Sequence, residues 1–421
     1  MADPRREAVW HIESSRLVAR LTRVVGDFGL AEDLAQDALV AALEQWPVSG
    51  VPEKPAAWLM TTARNRAVDV LRRRATLRRK EQEMARDFTT ELELGAPDFD
   101  AMADDDIGDD LLRLIFTCCH PVLSPEARVA LSLRALGGLT TDEIARAYLV
   151  ATPTIAQRIV RAKRTLAEAR VPFELPAPAE RAARLSSVLE VVYLIFNEGY
   201  SATAGDDWLR PELCNEALRR GRVLAGLMPE EPEVHGLAAL MELQASRLRA
   251  RIGPAGTPVL LLDQDRGRWD QLLIRRGLAA LDRATALGGA LGPYALQAAI
   301  AACHARAPTA DQTDWPQIVA LYDALAQVAP SPVIELNRAM AVAMAYGPAE
   351  GLALVDELTD EPALRSYHLL PSVRGELLIR LGRLDEARAE LERAAGLTRN
   401  RQEQAMLRTR AAALGREHAN A

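Results

Sequence analysis

The sequence predicts an all-α protein: a basic helical domain, an acidic linker, a helix-turn-helix domain and a long C-terminal helical-repeat array. Three observations predict this. Ala, Leu and Arg, all good helix formers, are plentiful, while aromatic residues make up only 5% of the chain. Apolar residues recur at helical spacing between short Pro/Gly breaks. Charge is sorted into blocks rather than mixed. The chain has 421 residues, 49% of them hydrophobic, which is enough for two to four domains with real cores. Its net charge of −7 excludes wholesale coating of nucleic acid but leaves room for a local basic surface.

The first domain is expected over residues 1–80. The segment AEDLAQDALVAALEQW, residues 31–46, turns Leu34, Ala38 and Ala42 inward. Asp33, Gln36, Asp37, Val40 and Glu44 face the other way, an acidic stripe suited to protein docking or simply to solvent. In the next helix, residues 57–74, Met60, Ala63, Ala67, Val70 and Leu71 share one side. The opposite side carries Trp58, Thr62, Asn65, Arg66, Asp69, Arg72 and Arg73. Stacking, hydrogen-bonding and phosphate-holding groups on one face suit single-stranded nucleic acid. Two blander readings stand beside this one. Trp58 packs on a neighbouring helix, and the arginines are a solvated cluster favoured by the helix dipole.

Residues 54–80 hold nine Lys/Arg against one acid, and residues 81–112 hold twelve acids against one Arg. The acidic stretch is weakly periodic and broken by Gly95 and Pro97, so 81–112 reads as a linker.

Residues 113–170 form the second domain. Ser124 before Pro125 is an N-cap, and Gly137 and Gly138 end that helix. Thr140 and Glu143 make a capping box, a turn lies near 149–151, and Thr152 caps a third helix with Pro153 at its first position. On that helix Ile155, Ile159, Ala162 and Leu166 form one buried stripe. Thr154, Gln157, Arg161 and Arg164 lie opposite, flanked by Arg158 and Lys163. Arg can match guanine, Gln can match adenine, and further cations hold phosphates, so this is the chemistry a major-groove recognition helix needs. A helical hairpin with a solvated basic face is the competing reading.

A Pro-rich joint spans 171–180, and 181–421 reads as the helical array. One repeat is clear. From Pro371, the residues Gly375, Leu378, Gly382, Ala387, Leu391 and Ala394 fall at spacings like those of a 34-residue helix-turn-helix repeat. Weaker echoes lie at 213–229 and 334–358. An irregular bundle is the alternative.

Two groups look chemical. Cys118-Cys119-His120 has no second ligand pair at zinc-like spacing, so core packing is expected and no metal. Asp263, Asp265, Asp270, Asn197 and Glu198 have no nucleophile or base positioned with them, so structural roles are expected. VLLLDQDRGRWD reads as a strand-like or docking loop. With four Cys in no disulfide-like spacing, no signal-peptide pattern and no apolar run of about 18 or more residues, a cytoplasmic protein without a membrane segment is expected.

AEDLAQDALVAALEQW followed by WLMTTARNRAVDVLRRR resembles the domain that opens extracytoplasmic-function RNA polymerase sigma factors. LTTDEIARAYLVATPTIAQRIVRAKRTL resembles their helix-turn-helix domain. Order, spacing and acidic linker agree over about the first 170 residues. FTCCHPVL, VVYLIFNEGYSA and DQDRGRWD resemble a subgroup with a tetratricopeptide-like C-terminal extension.

The resemblance implies a sigma region 2 at 1–80, a region 4 at 113–170 and a regulatory array at 181–421. Asp33, Gln36 and Asp37 would contact core RNA polymerase. Trp58, Thr62, Asn65, Arg66, Arg72 and Arg73 would meet the melted −10 element of promoter DNA, with Asn65 near an extruded base. Thr154, Gln157, Arg158, Arg161, Lys163 and Arg164 would meet the −35 element, Gln157 and Arg161 as base readers. Ala156 departs from the basic or polar residue common there, so the −35 preference is expected to differ. The linker would thread near the nascent-RNA path. The expected protein is no enzyme, uses no cofactor, and has a possible protein or peptide partner for its array. The competing reading is a helix-turn-helix regulator with a sensing array, independent of polymerase.

Overall fold

Side-chain capping sets several helix boundaries in the N-terminal part. The computed structural model describes residues 4–84, 107–148, 150–202, 204–253, 257–288 and 291–419. α1 (Pro4–Val25) is followed by α2 (Phe28–Ser49), whose N-cap Asp27 accepts from Leu30 N at 3.0 Å. α3 (Pro55–Met84), α4 (Ile107–Cys118) and α5 (Pro125–Ala135) follow, the last capped by Ser124 as its hydroxyl accepts from Ala127 N at 3.3 Å. α6 (Thr141–Ala147) opens with the expected capping box. Glu143 N donates to Thr140 Oγ1 at 3.2 Å, and Thr140 N donates back to Glu143 Oε2 at 2.7 Å. α7 (Thr152–Glu168) and α8 (Pro178–Tyr200) complete this stretch.

Three expectations need correction. Thr152 is not the cap of α7: Ala151 takes that place, and Thr152 Oγ1 instead donates to Asp142 Oδ1 at 2.8 Å, bracing the turn across α6 and α7. The linker is shorter than 81–112, because 81–84 finish α3 and 107–112 begin α4. Asp110, within the stretch read as linker, is 1% exposed and faces Arg23 (3.3 Å) and Arg113 (2.8 Å). Residues 85–106, the rest of the linker, lie outside the described residues. Third, the chain divides into two units at Val191/Val192 rather than at 181. The first part of α8 belongs with the N-terminal unit: Arg128 reaches Ser187 and Glu190, Ser187 Oγ donates to Cys119 O at 2.7 Å, and Arg184 donates to Phe116 O at 2.9 Å.

Cys118 and Cys119 are buried in that unit, as core packing requires. Its apolar interior also includes Leu21, Leu59, Leu131, Leu133, Ile144 and Ile155, each at most 1% exposed.

The C-terminal unit is built from α9 (Pro211–Leu227), α10 (Pro232–Ala245), α11 (Gln271–Ala286), α12 (Pro293–Arg306), α13 (Trp315–Val328), α14 (Pro332–Tyr346), α15 (Pro348–Glu357), α16 (Leu369–Arg380), α17 (Leu384–Leu397) and α18 (Arg401–Ala419), with the end of α8. Proline in the first turn starts α9, α10, α12, α13, α14 and α15, where its missing N–H costs nothing. The clear repeat is α16–α17. Gly382 takes φ +73° at its turn, and a Cβ at Gly375 would press on Leu391 at 3.2 Å. The echo at 334–358 is the α14–α15 hairpin, and the echo at 213–229 is centred on α9. Three apolar clusters run along the unit, and consecutive ones share a helix. α12 serves the first two through Ala298 and Ile300, and α14 serves the last two through Ala341 and Leu336. Each helix is thus covered by its neighbours, as in a repeat array.

The array also closes on itself. β1 (Ala204–Gly205) pairs in parallel with β2 (Arg399–Asn400), the one departure from helix among the named elements. Asn400 is 1% exposed, and its Nδ2 donates to Ala202 O at 3.1 Å and Asp207 O at 2.8 Å. Its Oδ1 accepts from Gln402 N and Glu403 N, capping α18. Replacing Asn400 by Ala should therefore cost about 1–3 kcal/mol by stranding buried carbonyls. Amide exchange should accelerate across 202–209; unchanged exchange there would mean that the ends are held by other contacts.

Candidate nucleic-acid interface

The third helix of the helix-turn-helix is two-sided as its sequence requires. Ile155, Ile159, Ala162 and Leu166 are 1%, 6%, 2% and 4% exposed. Thr154, Gln157, Arg161 and Arg164 are exposed on the other side, and Arg158 is half-buried. Arg164 is held by Glu168 at 2.6 Å, one turn on. Ala156 is exposed on α7 among these residues.

Lys163 is placed differently. It is turned away from solvent and bonded to Glu32 and, at 3.0 Å, to Asp33 of α2. Glu32 is 3% exposed and also accepts from Arg134 Nε at 2.9 Å. One carboxylate thus ties α2 to α5 and α7. Burial opposes the charge on Lys163, but the two carboxylates outweigh it and raise its pKa above the ordinary 10.5. The contribution of this charge to stability is therefore complete below that value and lost only as pH rises beyond the raised one. Beside the pair, a cleft of about 540 Å³ is lined by Arg23, Phe28, Lys163, Arg170 and Phe173 among others.

The α2–α3 face is partly cross-paired too. Asp37 stands 3.8 Å from Arg66, Gln36 is half-buried, and Asp33 and Asp37 keep most of their surface exposed. Asn65 and Arg72 are exposed, and Thr62 is half-buried. Trp58 packs edge-on against Trp46 with centroids 5.5 Å apart, so helix packing uses part of its ring. Arg73 lies within α3, and its side chain is outside the described residues.

Three of the other grouped residues have structural partners. Glu198 pairs with buried Arg210, and Asp265 and Asp270 cap the turn at 266–268 and α11. VLLLDQDRGRWD is two 3₁₀ turns, not a strand. Among the described residues no cluster of three metal-ligating side chains occurs. No described helix is long and apolar enough to cross a membrane.

Residues 12–76 match the family model for sigma-70 region 2, and residues 113–166 match that for sigma-70 region 4. The chain is 31% identical over 145 residues to the ECF RNA polymerase sigma factor SigL of Mycobacterium tuberculosis, covering 34% of this chain and 76% of that one. The chain belongs to the extracytoplasmic-function sigma factors. This sigma factor is also 44% identical over 390 residues to an uncharacterized protein of Rhizobium meliloti, covering 92% of this chain and 90% of the relative. To the "Probable ECF RNA polymerase sigma factor SigI" of Mycobacterium tuberculosis it is 29% identical over 39% of this chain and 55% of that one. Residues 184–285 match a family of unknown function, DUF6596. The crystal structure of yeast Tom70 aligns with 97% of the sigma factor and 83% of its own chain, at 13% identity and a TM-score of 0.31, a likeness that carries no argument.

Sequence reasoning missed Glu32 and Arg134. A lone Glu in an acidic stripe looks solvated, and its partners lie 102 and 131 residues away. Glu32→Gln should loosen α2 from α5 and α7, costing about 1–3 kcal/mol since the two cations are only partly buried. Solution scattering should show a larger radius and protease should cut faster. An unchanged radius would mean that apolar contacts alone hold the arrangement.

Proposed function

We propose that the chain directs initiation at a defined set of promoters by binding core RNA polymerase in the cytoplasm and reading −35 and −10 elements. Residues 1–80 act as region 2, the linker follows, residues 113–170 act as region 4, and the C-terminal array regulates the whole. The observation that carries the reading is the exposed polar and basic face of α7, held outward by a buried apolar stripe behind a capped turn. Gln157 and Arg161 present bidentate groups at the centre of that face, and Thr154, Arg158 and Arg164 surround them. Asn65, Arg66, Arg72 and Arg73 serve the melted strand, while Trp58 and Thr62 line the start of that surface. Asp33, Gln36 and Asp37 dock on polymerase. No step needs catalysis by this chain.

The pairing of Lys163 with Glu32 and Asp33 adds a conformational step. Lys163 and Asp33 neutralise each other, so neither serves DNA or polymerase until α2 and α7 part. Because Lys163 holds its proton throughout the neutral range, a pH change does not open the pair.

Transcription by core polymerase on a promoter library, with the full chain, tests this reading. Promoter-specific starts are expected; their absence would sink it. Arg161→Ala should cost about 1–3 kcal/mol of promoter affinity and relax preference at one −35 base. An equal loss across all sequences would assign Arg161 to phosphate.

A further inference from the structure

The C-terminal unit contains a row of cations that its own acids do not balance. Rings and guanidinium groups alternate from Trp208 to Arg266. Arg251 lies 5.3 Å from the Trp208 centroid and 3.8 Å from that of Tyr200. Arg247 lies 5.7 Å from Tyr200 and 5.7 Å from Trp269, and Arg266 lies 5.0 Å from Trp269. Among the described residues none of these three arginines has a carboxylate at ion-pair distance, although most buried or half-buried arginines of the unit do, as Arg210, Arg220 and Arg374 show. Cation–π contacts soften the burial of charge but leave it unneutralised.

The three arginines differ in what they already hold. Arg266 donates to His304 O, Ala307 O and Thr313 Oγ1, so it fastens the end of α12. Arg251 donates to Tyr200 O. Arg247 uses one nitrogen on Tyr200 OH and Gln244, and its other nitrogens make no hydrogen bond among the described residues. Protein surrounds Arg247, and burial pulls its pKa below the ordinary arginine range, yet part of its surface stays accessible. Arg247 is thus a largely enclosed cation with unused donors. Tyr322 of α13 is a second largely enclosed polar group near it. It likewise makes no hydrogen bond among the described residues, and it is close enough to feel Tyr193 and Arg247 while burial pushes its pKa to about 12. Tyr367, from the turn before α16, has its pKa raised by burial, by the Glu403 carboxylate and, least, by Tyr193. The nearby imidazole of His304 is kept neutral, its pKa lowered to about 3 by burial and by Arg247 and Arg266.

We propose that the surroundings of Arg247 bind a ligand bearing a carboxylate or a phosphate, with Arg247 and Tyr322 as its donors and Arg251 and Arg266 supplying further positive charge. A planar guanidinium with free nitrogens beside a phenolic O–H matches two oxygens of such a group. The ligand brings the counter-charge that the row lacks. This site is independent of the DNA-facing surfaces of the N-terminal unit.

Thermal unfolding of the full chain tests the proposal with sodium phosphate and sodium glutarate, each against sodium chloride at equal ionic strength. At least one oxyanion should raise the unfolding temperature of the C-terminal unit by about 5 °C at saturation. Whichever acts identifies the headgroup. A variant with Arg158→Ala and Arg161→Ala, lacking two cations of α7, should respond like the wild type. Arg247→Met should abolish the response and leave the unliganded chain no less stable, since it removes an unbalanced charge. Tyr322→Phe should weaken binding severalfold, and it serves as the test if Arg247→Met does not fold. A response to chloride equal to that of both oxyanions overturns the proposal, as does an undiminished response in Arg247→Met or, where that variant fails to fold, in Tyr322→Phe.

Discussion

Glu32 sits in the first turns of α2 at 3% exposure and accepts from a guanidinium on α5 and an ammonium on α7. A carboxylate this deep is tolerable only with both cations in place, because removing either leaves charge in a poorly hydrated site. The arrangement of region 2 and region 4 in the N-terminal unit rests on this condition. It also decides what α7 can offer. Gln157 and Arg161 remain exposed, whereas Lys163, on the flank, is committed to α2. The residues that would grip DNA and those that would meet polymerase are thus partly spent on each other. Ion pairs of this kind exchange partners readily when a better set of charges arrives, which apolar packing does not do.

The C-terminal unit follows a different rule. Its helices are held by apolar clusters that share members, so each hairpin depends on the next, and Asn400 joins the last to the first. An open repeat array leaves its terminal helices half-covered and needs polar caps. Pairing of β1 with β2 reduces that need. The phenols Tyr193, Tyr322 and Tyr367 pack against the apolar clusters, and burial there raises their pKa values.

Much of this was legible in the residues. The apolar stripe of α7, the capping box of α6, the Ser124 cap and the α16–α17 hairpin are local facts, written within one or two helical turns. What escaped notice was set by distance. Glu32 finds Arg134 and Lys163 across more than a hundred residues, Asp110 finds Arg23, and Asn400 finds Ala202. Thr152 shows a subtler failure. Its hydroxyl had two acceptable uses, and Asp142, brought near by the turn itself, took it from the helix terminus. Trp58 was ambiguous for a physical reason as well. A wheel assigns a side, but at a helix start the neighbouring helix also claims the ring, and Trp46 does so here.

DQDRGRWD shows why a motif is better read after the fold. As a sequence its acids invite a metal or a hydrolase. In place, Asp265 and Asp270 cap a turn and a helix, while Trp269 and Arg266 enter the row of stacked cations. Asp265 and Asp270 are therefore spent on backbone N–H groups, and neither lies at ion-pair distance from the arginines beside them. A segment that looks balanced in charge along the chain thus leaves its surroundings positive. That imbalance, rather than the acids themselves, is the chemical consequence of the motif, and it directs attention from catalysis to the recognition of an anion.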